Sequence, residues 1–182
     1  MSKVWLVHGA FNRGEGKAAW DTLRPALREW GLEPVNFSYG WVGPLTTRRR
    51  SRKAAAKLAE KVKPDDAVVG FSNGGLVLAH LLEEGVKPRR TVLIQPALEA
   101  SYEFPYKKGV LVLYNSRDWA VSASILAFWH GWGRMGRVGP QDNVMSWDTR
   151  QDGQVKASGH FGWRKGKAGE YWSHKIAQEI QA

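Results

Sequence analysis

The chain has 182 residues, a length that suits one domain over 1–182, and its 43% hydrophobic content can bury a real core, which excludes a disordered chain. It has no cysteine, which excludes a disulfide scaffold, a thiolate metal site and a cysteine nucleophile. The formal net charge is +10, from 27 Lys+Arg against 17 Asp+Glu, and there are 10 Trp. Such a balance suits anionic partners without choosing among them. No apolar run of about 18 residues and no basic n-region with a long apolar core occurs, so a soluble, cytoplasmic protein with no membrane span is expected.

Five short apolar runs recur along the chain: 4–7, 35–39, 67–71, 91–95 and 110–114. All but the second are nearly continuous in apolar character, as expected for strands covered on both faces in a parallel sheet. The second, Val35-Asn36-Phe37-Ser38-Tyr39, alternates and suits the sheet edge. Between the first two runs, Trp20, Leu23, Leu27 and Trp30 repeat at helical spacing, Pro25 marks the start of a straight helix, and Gly31 closes it. Further helices are predicted at 48–62, 73–84 (ended by Gly85), 122–130 and 168–180. A last strand is expected near 154–157, and the glycine-rich stretch 131–154 is expected to form a mobile flap. Strand and helix in alternation predict an α/β domain with a mostly parallel sheet of about six strands.

In such sheets ligands bind outside the carboxyl ends of the strands, so the residues after each run carry the most weight. Gly70-Phe71-Ser72-Asn73-Gly74 follows the third run and reads G-x-S-x-G between a strand and a helix. A serine on so tight a turn needs neighbours without side chains, and the turn lifts its hydroxyl to the edge at a helix N-terminus. With 20 glycines in the chain, the pattern alone could also be an ordinary glycine-rich turn whose serine caps the helix.

A nucleophilic serine needs a base, and the base an orienting carboxylate. Among the five histidines, His80 lies on an apolar helical stretch, while His130 and His174 fall in other predicted helices and read as structural or surface groups. His8 follows the first strand and reads more naturally as a turn stabiliser than as a base. His160, in Ser158-Gly159-His160-Phe161-Gly162 before the final helix, is the candidate base. Of Asp118, Asp142, Asp148 and Asp152, Asp118 is chosen because it comes just after the strand 110–114, at the productive edge.

Four segments together resemble the landmarks of the α/β-hydrolase superfamily in its chain order: His8-Gly9-Ala10, Gly70-Phe71-Ser72-Asn73-Gly74, Asn115-Ser116-Arg117-Asp118-Trp119-Ala120-Val121 and Gly159-His160-Phe161. The separations of 46 and 42 residues leave room for strand–helix units between them. The resemblance covers nearly the whole chain, beginning at what is usually the family's third strand. No cap-sized insertion separates residues 95 and 110, so a small, capless member is implied. By this resemblance Ser72 is the nucleophile, His160 the general base and acid, and Asp118 the orienter. The backbone N–H groups of Ala10 and Asn73 form the oxyanion hole, with Phe11 as the alternative to Ala10. A serine hydrolase of carboxylic esters or thioesters is implied, working through an acyl-enzyme with no metal and no organic cofactor.

Phe11, Trp41, Trp119 and Trp163 fall beside the active-edge loops and are candidates for an apolar substrate pocket. The run Arg48-Arg49-Arg50-Ser51-Arg52-Lys53 falls in the first turn of a predicted helix, where cations oppose the helix dipole. A solvated helix face is its ordinary reading; the sharper one is contact with an anionic acyl substrate or partner. No nucleic-acid-binding fold accompanies it, so nucleic acid is not the expected partner. The competing readings are a hydrolase-fold acyltransferase, a non-catalytic binding protein, and an interaction protein working through its basic surface.

Overall fold

The computed structural model describes residues 2–10, 17–40, 46–118, 133–151 and 155–182. The predicted helix 122–130 lies outside these residues, as do Phe11, Trp41, Trp119, His130 and Asp152. Six strands, β1 (Lys3–Val7), β2 (Glu33–Phe37), β3 (Ala67–Phe71), β4 (Arg90–Ile94), β5 (Val110–Tyr114) and β6 (Met145–Asp148), form one sheet in the order β2-β1-β3-β4-β5-β6. Every pairing is parallel. The helices are α1 (Leu23–Glu29), α2 (Thr47–Ala59), α3 (Asn73–Glu83), α4 (Met135–Val138) and α5 (Gly166–Gln181). None is long and apolar enough to cross a membrane.

The continuous apolar runs are explained by burial on both faces. Side chains alternate across a strand, so β1 sends Val4 and Leu6 into one core and Trp5 and Val7 into the other. The first core joins β1, β3, β4 and β5 to α1 and α5 through Leu23, Leu27, Trp172 and Ile176. The second joins them to α2 and α3 through Leu58, Leu78 and Leu81. The alternating second run does lie at an edge, but its strand begins two residues earlier than expected and leaves Ser38 and Tyr39 beyond it. Pro34 is tolerated there because an edge strand needs fewer ladder bonds.

Gly31 and Gly85 close α1 and α3 at φ +71° and +84°, which glycine adopts without strain. Pro25 sits in the first turn of α1, where its missing N–H costs no helical bond.

Two expectations need correction. The last strand is Met145–Asp148 rather than 154–157, and Ala157 instead meets the loop after it by donating its N–H to Thr149 O at 2.9 Å. As an edge strand with Met145 and Ser146 exposed, β6 carries only a short apolar signal broken by Ser146 and Asp148. Within the predicted flap, 133–151 is closely docked structure. Met135 is fully buried and its N–H meets Leu98 O at 2.8 Å, while a Cβ on Gly133 would stand 2.1 Å from Glu99 N.

Candidate active site

The strand order changes direction between β1 and β3, which opens a crevice outside their carboxyl ends. The turn from β3 into α3 projects into it. Ser72 has φ 54° and ψ −117°, a conformation that costs a residue with a Cβ about 1–3 kcal/mol. Its hydroxyl makes no capping bond to α3, so the helix-cap reading of the motif does not hold. Its backbone is held on two sides: Ser72 N–H donates to Ile94 O at 3.0 Å, and Ser72 O accepts from Gly75 N at 2.9 Å and Ala97 N at 3.0 Å.

The glycines of the motif are required by close approach. A Cβ on Gly74 would lie 2.1 Å from Val7 O, and one on Gly70 would lie 2.7 Å from Gly74 O. The β1 loop runs directly against the serine, since a Cβ on Gly9 would meet Ser72 Cβ at 3.2 Å. Ala10 follows in that loop, and Asn73 opens α3.

Across the crevice, His160 Nδ1–H donates to Asp118 Oδ2 at 2.6 Å. Both residues are buried, with Asp118 fully so. This bond assigns the proton to Nδ1 and leaves Nε2 as the basic nitrogen. The imidazole stands over Phe71, the residue before Ser72, with ring centroids 4.8 Å apart. The loop carrying Asp118 is tied down by Asp118 N–H to Asn115 O at 2.8 Å. Asp148 holds it too, accepting from Ser116 N–H at 3.3 Å and Arg150 N–H at 3.0 Å. Asn115 is fully buried and donates Nδ2–H to Thr149 Oγ1 at 3.0 Å and to Ala157 O at 3.1 Å, linking the aspartate loop to the approach to His160.

The remaining described histidines have other tasks. His8 donates Nδ1–H to Gly9 O at 2.8 Å and stacks on Tyr39 at 4.4 Å; burial pushes its pKa down, against a smaller opposing effect of the carbonyl bond, so it is neutral near pH 7. His80 pairs with Glu83 on α3, and His174 faces Glu29 at the surface. Asp142 accepts from Phe104 N–H at 3.0 Å and pairs with Lys107.

Of the pocket candidates, Trp163 is the one described. It is fully buried and tilted against Phe71 and Trp20 at 5.6 and 6.0 Å, so it offers packing and no surface to a ligand. The exposed aromatic at this rim is its near neighbour Phe161, 43% accessible and edge-on to His160 at 4.9 Å. Sequence reasoning weighed the tryptophans beside the active-edge loops and passed over Phe161; its adjacency to the histidine was the signal. It also passed over Tyr39, whose hydroxyl donates to His8 O at 2.7 Å and accepts from Asn73 Nδ2–H at 3.0 Å. That bridge ties the β1 loop to the start of α3, with Ser51 of α2 as a further acceptor for Asn73 at 3.3 Å. Among the described residues no cluster of three metal-ligating side chains occurs.

No family model matches the sequence, and no curated protein does. Solved structures do match. An esterase of Pyrococcus furiosus superposes with a TM-score of 0.65 at 15% identity, over 99% of this chain and 81% of its own. A monoacylglycerol lipase of Paleococcus ferrophilus gives 0.62 at 13%, over 98% and 93%. A pyrethroid hydrolase gives 0.60 at 13%, over 100% and 98%. The parallel order of six strands, the strained serine turn after β3 and these superpositions agree: the chain has the α/β-hydrolase fold, with no cap among its described residues.

Proposed function

We propose that the protein is a serine hydrolase of carboxylic esters or thioesters, with Ser72 as nucleophile, His160 as general base and acid, and Asp118 as orienter. The reading is supported by a strained serine at the switch point and, on the same sheet rim, a buried imidazole. That imidazole is locked through Nδ1 onto a carboxylate and stands over the preceding residue of the same turn. In this scheme Nε2 takes the Ser72 proton as the oxygen attacks the carbonyl carbon. The oxyanion is met by the backbone N–H groups of Ala10 and Asn73. The Ser72–acyl bond forms as the alcohol or thiol leaves with the proton from His160. Water then gives its proton to Nε2 and attacks the acyl carbon, and His160 returns that proton to Ser72 Oγ as the acid leaves. The scheme calls on no metal or organic cofactor.

Esterase, lipase and pyrethroid hydrolase structures on the same fold favour ester chemistry over other uses of it. The substrate is a small acyl compound, and the rim aromatic Phe161 favours an apolar group beside the imidazole. Incubation with a fluorophosphonate probe and a panel of p-nitrophenyl and thioesters tests the reading. Wild type is expected to label and turn over, and Ser72→Ala to do neither. Equal labelling of the variant overturns the nucleophile assignment.

A further inference from the structure

Among the described residues, two that are not glycine hold positive φ: Ser72 at 54° and Gln95 at 44°. They stand side by side, at the carboxyl ends of β3 and β4. Ile94, the residue before Gln95, accepts the Ser72 N–H, and Ala97, two residues after it, donates to Ser72 O. Strain of this kind persists only where the surroundings over-determine it, and it gathers at functional sites. Glycine would occupy the position at no conformational cost, so retention of a long polar side chain calls for a reason.

The side chain supplies one. Gln95 is fully buried, and its Nε2–H donates to Gly159 O at 2.9 Å. Gly159 is the residue before His160, and a carbonyl fixed in direction fixes the plane of the peptide that joins the two. The imidazole is thereby held from both ends: through its ring by Asp118 and through its own backbone by Gln95. Gln95 is itself clamped. Its N–H donates to Leu113 O at 2.6 Å, and the chain at Gly136 lies so close that a Cβ there would stand 2.7 Å from Gln95 C.

We propose that Gln95 is a positioning residue: it fixes the peptide before His160 and so sets the height and tilt of the imidazole beside the Ser72 turn. The inference rests on the reading of His160 as the base. Its test uses three variants, Gln95→Gly, Gln95→Leu and Gln95→Glu, each followed by thermal unfolding, by kcat and KM across pH, and by the downfield proton resonance of His160 Nδ1–H. Gln95→Gly releases the backbone strain while deleting the donor, so it is expected to keep or raise the unfolding temperature. Its kcat is expected to fall about 10- to 100-fold with KM little changed, as misplacement of a reacting group does. In Gln95→Glu the carboxylate cannot donate to Gly159 O, and its charge near His160 moves the acid limb of the kcat/KM profile to higher pH. The downfield resonance is expected to shift or broaden in all three variants.

Folded variants with wild-type kcat, pH profile and resonance overturn the proposal. So does a loss of activity that only tracks a loss of folded protein. Should the wild-type enzyme neither label nor turn over any ester, the hydrolase reading falls. The resonance still decides the positioning role: its change in Gln95→Gly supports that role and its constancy refutes it.

Discussion

Asp66 and Asp118 are the same chemical group, buried at opposite ends of one sheet, and their surroundings differ in kind. Asp66 stands before β3 and accepts from Lys3 N–H at 3.2 Å, Trp5 Nε1–H at 3.0 Å and Lys63 N–H at 3.0 Å. Burial pushes its pKa up, but the Lys63, Trp5 and Lys3 bonds together outweigh that and hold it below the usual carboxylate value. Its oxygens are engaged with donors that have no other state, and the result is a staple between β1 and β3. Asp118 follows β5 and meets a titratable ring from 42 residues away. The amino ends of the strands use a carboxylate to close structure. The carboxyl ends use one to hold an imidazole, among neighbours under backbone strain at Ser72 and Gln95.

The contrast can be broken most severely at the serine. Ser72→Ala is expected to lower kcat on the order of 10⁶-fold with the unfolding midpoint little changed, as measured by ester turnover and denaturant titration. Asp118→Asn comes next, on the order of 10⁴-fold in kcat, because an amide donor facing Nδ1 favours the wrong tautomer of His160. The conservative change at the other end, Asp66→Asn, is expected to leave kcat at the wild-type value. A kcat loss there comparable to that of Asp118→Asn would erase the distinction.

Stability sharpens the comparison from the other side. Gly74→Ala puts a methyl into the Val7 carbonyl and is expected to cost about 3 kcal/mol, read from the urea midpoint at unchanged slope. Asp66→Ala strands three donors and is expected to cost about 2 kcal/mol near pH 7. The folded pKa of Asp66 is depressed, so its contribution is fully present above the unfolded value near 3.9. It is lost as pH falls through the folded value. The stability difference between wild type and Asp66→Ala should therefore shrink in acid below about pH 4. The smallest effect belongs to α2, whose first turn holds Arg48, Arg49 and Arg50 and no acidic residue. Arg49→Glu there is expected to raise stability by about 0.5 kcal/mol at low salt.

Much of the site was legible because its demands are local. A tight strand-to-helix turn can be written only with glycines at 70 and 74, and the chain shows both around Ser72. Asp118 and His160 stood out as candidates from their places after a strand and in a small-residue loop, while their meeting is visible only in the fold. Tyr39, Asn115 and Gln95 were not. Each acts through one or two hydrogen bonds to groups 31 to 64 residues away, and nothing in the neighbouring sequence records the partner. Trp163 shows the reverse failure. Its nearness to His160 in the chain suggested a pocket wall, and the turn after His160 instead drives it into the core against Trp20.

Hydrophobic order along the chain determined the architecture. A strand covered on both faces must be apolar at consecutive positions, which marks β1, β3, β4 and β5 without reference to anything distant. β6 escaped because an edge strand is asked to bury little: Met145 and Ser146 face solvent, and its place depends on pairing with β5. Which histidine meets which carboxylate was likewise decided in three dimensions. Five imidazoles carry the same chemistry along the chain, and a partner 42 residues away becomes a neighbour only when the sheet sets both loops on one rim.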